Sequence, residues 1–456
     1  MRSISRREAL QTTANGFGWL AFCALARGRT LAVGSPLAVK PAHFPPRARR
    51  VIFLCMAGGP SHVDLFDHKP RLHADTGREA PPGTMGNGTG RFVLNGSPWK
   101  FARHGDGGMW MSELLPGIAR HADDICLINS MQTDQPAHPQ AVLQLHTGVT
   151  QFVRPSMGAW LQYGIGTENE NLPGFISIAP SAQNGGARNY SSAFLPAICQ
   201  GTVISGDTDA GMADIRNARR TRDEQRAQLD FIQRLNASRL RKDVVNPEIE
   251  GVIESAELAF KMQREAPLVM DLARESEATR RLYGIGEKVT DSFGRQCLLA
   301  RKLVETGVRF VQLTHGDWDH HRQLAAGLTK NCASMDRPVA GLLADLKGRG
   351  LLEDTLVIWG GEFGRTPHSQ GNDGRDHNGR GFTMWMAGGG VKGGLTYGRT
   401  DDYGYAAVES PMHIHDWHAT VLYLLGIDHE RLVFHHAGRD FRLTDGHGSV
   451  AKSVLA

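Results

Sequence analysis

Short, unbroken apolar runs constrain this 456-residue chain most. Val51-Ile52-Phe53-Leu54-Cys55-Met56 contains no polar residue, and 124–128, 308–313, 355–359 and 382–387 are nearly as apolar. Runs of five or six residues have strand length. A strand without polar alternation is one covered on both faces, as in a parallel sheet packed between helices. Helical patterns lie between the runs, at 112–121 with Ser112 as N-cap, at 137–147 and at 332–348. Strands alternating with helices predict an α/β fold with a doubly wound, mostly parallel sheet. In such sheets, sites collect beyond the carboxyl ends of the strands. Polar, glycine-rich motifs follow the runs: AGGPSHVD at 57–64, GDWDHH at 316–321, GGEFGRTP at 360–367 and AGGG at 387–390. They are expected to share one edge of the sheet.

The stretch from about 207 to 305 differs. It is rich in Glu, Arg, Ala, Leu and Gln, and places Leu229, Ile232 and Leu235, then Ile253, Leu258 and Phe260, at helical spacing. It reads as a helical insertion in a single domain spanning 46–456, with Pro247 and Pro267 marking helix starts or breaks. Residues 76–98, rich in Gly and Pro, read as a long surface loop.

Residues 1–32 read as an export signal. Ser5-Arg6-Arg7-Glu8-Ala9-Leu10 resembles a twin-arginine motif, and the apolar stretch 16–26 is too short to span a bilayer. Ala24-Leu25-Ala26 offers a cleavage site. The expected location is periplasmic or extracellular, with no membrane span once the signal is removed. A net charge of +4 makes no case for nucleic acid. Cys55, Cys126, Cys199, Cys297 and Cys332 show neither a disulfide framework nor a CxxC zinc pattern.

Chemistry-bearing residues concentrate in the strand-end motifs. The chain has 20 histidines, and none falls between Thr147 and Thr314, so imidazole chemistry belongs to the two flanking regions. Asp317 and His321 stand four apart and share a face if a helix turn begins there. With Glu362, Asp376, His377, His62 and Asp64 they form a candidate ligand set of carboxylates and imidazoles. That mixture suits Zn²⁺ or Mn²⁺ better than Ca²⁺, which prefers oxygen cages. Arg365 and Arg375 flank these residues and are candidates to clamp an anion by bidentate hydrogen bonds. Each residue also has an ordinary alternative: Asp64 as a helix cap, Glu362 paired with Arg365, His377 as a surface loop residue. The run 412–420 (MHIHDWHAT) is read instead as a helix start with Asp416 as N-cap.

MAGGPSHVDLFD (56–67), GDWDHH (316–321), GGEFGRTP (360–367), GRDHN (374–378), AGGGVKGG (387–394) and GRDFRLTD (438–445) resemble domain-of-unknown-function family 1501. This is a group of exported bacterial proteins often labelled sulfatase-like. The resemblance covers nearly the whole chain after the signal. It implies a place in the alkaline phosphatase superfamily, with a metal site at the strand ends. Asp317 with His321 is similar to that superfamily's Asp-x-x-x-His pair, and His377 to its later histidine. Phe363 stands where the superfamily carries a histidine, and Ala57 where it carries an aspartate. The nucleophile is unassigned: after the second strand only Thr133 and His138 come near the position. The expectation is a metal-dependent hydrolase of a phosphate, sulfate or related ester, acting on a small anionic ester or a sulfated or phosphorylated glycan. A non-catalytic binding or assembly protein and a metal-dependent mutase or isomerase are the alternatives.

Overall fold

A computed structural model describes residues 37–85, 91–206, 215, 219–240, 247–371 and 373–456. These belong to one unit, Pro36–Ala456. The expected signal segment, 1–32, lies outside the described residues, as do 207–214 of the expected insertion.

Eleven strands carry the argument: β1 (Arg50–Met56), β2 (Ile125–Gln132), β3 (Phe175–Ile178), β4 (Thr202–Ile204), β5 (Phe310–His315), β6 (Thr355–Gly360), β7 (Gly364–Gln370), β8 (Gly374–Asn378), β9 (Phe382–Ala387), β10 (Leu395–Tyr397) and β11 (Met412–His413). A nine-stranded sheet runs in the order β10-β2-β9-β6-β1-β5-β3-β4, with β11 added on β2. β1 lies between β5 and β6 and is parallel to both. Val51 to Leu54 and Met56 are fully buried. Each such side chain contributes about 1.5–3 kcal/mol by leaving water, so β1 is a large part of the core. The fold is the expected mostly parallel sheet with flanking helices.

β9 is the exception. It pairs antiparallel with both β2 and β6. Its C-terminal end therefore lies at the edge where its neighbours begin. Gly389 bonds to Leu352 O at 2.9 Å, just before β6. The AGGG motif at 387–390 is thus on the far edge and does not join the other motifs. Reading it with them was wrong because an apolar run does not encode strand direction.

The principal helices are α1 (His138–Thr147), α2 (Met157–Ile165), α3 (Arg222–Leu240), α4 (Pro247–Met270), α5 (Asp291–Glu305), α6 (Leu324–Gly348) and α7 (Ile414–Leu424). α1 has Pro139 in its first turn and stops at Gly148, whose φ of 74° closes the helix in the left-handed conformation. Ser112 caps no helix: it ends a short strand, Met109–Ser112, and a 3₁₀ turn follows at Ile118–Asp124. α6 begins eight residues earlier than its pattern suggested, and Pro267 falls inside α4. α7 is capped by His413. Asp416 sits three residues on and completes a reciprocal capping box, rather than being the N-cap itself. Among the described residues, no helix is long and apolar enough to cross a membrane.

Candidate metal centre

β1, β2, β5 and β6 point the same way, so the loops that leave them meet at one edge. After β5, Gly316-Asp317-Trp318-Asp319-His320-His321 crosses the end of β1. Trp318 N–H bonds Ala57 O at 3.2 Å. The crossing is close: a Cβ on Gly58, whose φ is 117°, would lie 2.6 Å from Asp319 N. Only glycine fits there. After β6 comes Glu362, then the β7–β8 hairpin, in which His377 pairs with Arg365. After β2, a short turn leads into α1, whose first residue is His138.

These loops bring His138, Asp319, His321 and His377 together, with one ligand atom from each lying within 4.8 Å of the others. Asp319 Oδ1 is the centre. His321 Nε2 is 2.9 Å from it, and His138 Nε2 and His377 Nε2 are each 3.3 Å away. The two facing nitrogens of His321 and His377 are 2.8 Å apart.

The far side of each imidazole explains this convergence. His138 Nδ1 faces Glu362 Oε1 at 2.6 Å, His377 Nδ1 faces Pro136 O at 2.7 Å, and His321 Nδ1 faces Gln370 Oε1. All three partners are oxygen acceptors, so each Nδ1 carries a proton, and in the neutral ring each Nε2 presents a lone pair. Three lone pairs and a carboxylate directed at one point repel one another unless a cation lies between them. The donor set therefore fits a divalent metal, with outer partners that fix each ring as such sites require.

Charge in the centre follows from the same contacts. Burial opposes protonation of His138, but the carboxylates of Asp319 and Glu362 together outweigh it and push the imidazole up to about 9. Burial also opposes ionisation of Asp319. Hydrogen bonds from His138, His377 and Arg365 outweigh it and hold that carboxyl far below the usual range. Without a cation, a proton on His138 Nε2 bridges to Asp319, and a metal would displace it. Asp319 keeps 44% of its side-chain surface open, so the centre faces solvent.

The family described as Protein of unknown function (DUF1501) matches residues 48–455. The chain belongs to this family. No curated protein matches it. Three solved structures that resemble this DUF1501 chain are distant in sequence. One is a protein in the alkaline phosphatase superfamily from Vibrio parahaemolyticus, 9% identical, with a TM-score of 0.37 over 91% of this chain and 76% of that one. Another is the PsFucS1 sulfatase from Pseudoalteromonas sp., 14% identical, with a TM-score of 0.35 over 84% and 69%. A third is the C-terminal periplasmic domain of EcEptC from Escherichia coli in complex with Zn, 8% identical, with a TM-score of 0.38 over 92% and 99%.

Several candidates of this DUF1501 chain lie elsewhere than expected. Asp317 is not in the cluster: its side chain is 81% exposed and pairs with Lys330 at 3.6 Å. No helix turn begins at Asp317, which has a φ of 66°, and α6 starts only at Leu324. The four-residue spacing to His321 therefore puts no shared face on the two. Asp319, two residues on, turns inward instead.

Arg375 is fully buried and takes both oxygens of Asp64, at 2.7 and 3.0 Å. Ser61 Oγ holds the same carboxylate at 2.5 Å. Neither Arg375 nor Asp64 is free for a ligand. Arg365 is fully buried too, and binds Asp319 at 2.5 Å and Gly59 O at 2.9 Å. It holds a ligand candidate rather than an outside anion. His62 is buried against Gly404 O at 2.8 Å, away from the cluster. Asp376 lies at its rim, 4.0 Å from His321. Thr133 spends its hydroxyl on Gln144 Oε1 at 2.7 Å. His138 and Asp319 are the members that residue patterns did not assign to the ligand set. Proximity to Glu362, available only from the fold, singles out His138.

Proposed function

We propose that the protein is an exported, metal-dependent hydrolase of phosphate, sulfate or related esters, related to the alkaline phosphatase superfamily. The observation that supports this most is the arrangement of three Nε2 lone pairs around Asp319 Oδ1, each ring fixed by an acceptor on its far side. His138, Asp319, His321 and His377 would hold Zn²⁺ or Mn²⁺. A bound cation of this kind acts as a Lewis acid toward an ester oxygen and makes water more acidic. Glu362 orients His138, and its other contact, the Gly58 N–H at 3.0 Å, fixes the carboxylate in turn. Arg365 orients Asp319. Water is the attacking group in this reading, because the Thr133 hydroxyl is engaged and His138 is directed into the ligand set. Export rests on the N-terminal segment and is tested by locating the processed chain.

Metal analysis of the folded chain, with a screen of aryl phosphate and sulfate esters, tests this reading. One equivalent or more of bound cation, with ester cleavage lost in His377→Ala, is the expected result. A metal-free chain of unchanged thermal stability after added Zn²⁺ and Mn²⁺ would sink it. A non-catalytic binding protein is the second reading, favoured by the burial of Arg365 and Arg375. It predicts bound cation without turnover of any ester.

A further inference from the structure

Beyond His377 the chain leads into a second feature. Asn378 follows it, and its side-chain amide donates to Tyr405 O at 2.9 Å and Gly381 O at 3.1 Å. Its oxygen accepts from Arg380 N–H at 3.0 Å. Asn378 thus ties the strand carrying His377 to the wall of a polar cleft of about 560 Å³, lined among others by Arg71, Arg380, Arg399, Asp401, Asp402 and Tyr405.

The charges in this cleft are not equally available. Asp401 is spent on the backbone N–H groups of Tyr403, Tyr405 and Ala406, at 2.8–3.0 Å. Asp402 pairs with Arg71 at 3.2 Å, and Arg399 with Glu409 at 3.2 Å, outside the lining set. All four of those paired side chains are more than half exposed, so the pairs are weak and exchangeable. Arg380 is exposed and has no carboxylate within ion-pair distance among the described residues. Its guanidinium lies 5.9 Å from the centre of the Tyr405 ring. A guanidinium beside a half-exposed phenol offers a bidentate grip for an oxyanion and a flat apolar face for a ring. His377 and Arg380 are three positions apart, so their Cα atoms lie within about 11 Å of each other.

We propose that this cleft binds a sulfated or phosphorylated saccharide unit next to the one presented to the metal centre, with Arg380 on the oxyanion and Tyr405 against the sugar ring. The purpose assigned to the cleft rests on the hydrolase reading, but its binding does not. The full chain, stripped of metal with EDTA, is titrated with a sulfated tetrasaccharide, a phosphorylated one, the desulfated counterpart and inorganic sulfate. Wild type is expected to bind a charged tetrasaccharide at least about tenfold more tightly than the uncharged one, and the preferred ester identifies the anion. Arg380→Gln should lose about tenfold, equivalent to about 1.4 kcal/mol. Arg380→Lys should recover part of it. Equal affinity in wild type and Arg380→Gln, or equal affinity for charged and uncharged saccharides, would overturn the proposal. So would binding that appears only when the cation is restored, since the anion would then sit at the cluster. Failure of the hydrolase reading has its own readout, the absence of bound cation or of turnover.

Discussion

Trp318 is fully buried, and its indole N–H donates to His315 Nδ1 at 3.0 Å. His315 in turn donates from Nε2 to Ser334 Oγ at 3.0 Å. The Trp318 ring also meets Trp359 of β6 edge-on, with 6.2 Å between centroids. Between two aspartates, this buried indole fixes the turn so that Asp317 faces solvent and Asp319 faces the cluster.

The two aspartates should therefore behave differently. Asp319→Asn is expected to abolish stoichiometric binding of Zn²⁺ or Mn²⁺. Asp317→Asn should keep full metal content and change stability by less than about 0.5 kcal/mol, as an exposed substitution does. Metal content of the purified variants separates them, and equal loss in both would contradict the geometry.

Glu362 is buried and touches His138 rather than the shared centre. Glu362→Gln should weaken metal affinity by about 10–100-fold through His138 alone, the usual effect of an outer partner. In the metal-free protein it should also lower the His138 pKa from about 9. Proton NMR of the imidazole reads that shift, and an unmoved titration would show that Glu362 does not act through His138.

Arg375 and Asp64 form a fully buried pair. Arg375→Met leaves the carboxylate uncompensated and is expected to cost about 3–5 kcal/mol in chemical denaturation. Wherever the variant is folded, KM for any ester substrate should match wild type. A raised KM in a variant of unchanged stability would restore Arg375 as an anion clamp.

Acid should destabilise the fold through buried histidines, among them His146 and His418. Burial holds His146 down to about 4 and His418 to about 3, both from an ordinary 6.5. Between those values the unfolded chain binds more protons than the folded one. The stability of the neutral rings is thus fully present above about 6.5 and is lost as pH falls through the folded values. The slope is about 1.4 kcal/mol per pH unit for each ring. In His418→Gln, whose amide can still donate to Leu145 O, the slope between pH 6 and 4 should fall by at most about 1.4 kcal/mol per pH unit. Urea melts at several pH values measure it, and an unchanged slope would assign the acid sensitivity to other groups.

The sheet was legible because burial on both faces demands uninterrupted apolar residues, and 51–56 and 355–359 have them. The turn after α1 was legible at Gly148, where a left-handed residue is required. The direction of β9 was not, since its side chains are buried whichever way it runs. Asp416 shows the same limit on a smaller scale: an acid near a helix start was evident, but whether it caps from outside or from the third position depends on backbone geometry.

The composition of the candidate centre divides along the same line. His321, Glu362 and His377 stood out in sequence because acids and imidazoles follow strands, where a parallel sheet leaves its loops to meet. His138 comes from a helix more than 180 residues earlier, and nothing local ties it to Asp319. Arg365 and Arg375 looked like anion holders because their residue type and neighbours are those of a clamp. Their burial against Asp319 and Asp64 turned them inward. Sequence by itself determined the layered sheet and which edge would gather the chemistry, because apolar periodicity and strand order of burial are local properties. Which aspartate faces the cluster, which histidine joins it and which arginines are spent were decided only by tertiary structure, because each depends on contacts between segments far apart in the chain.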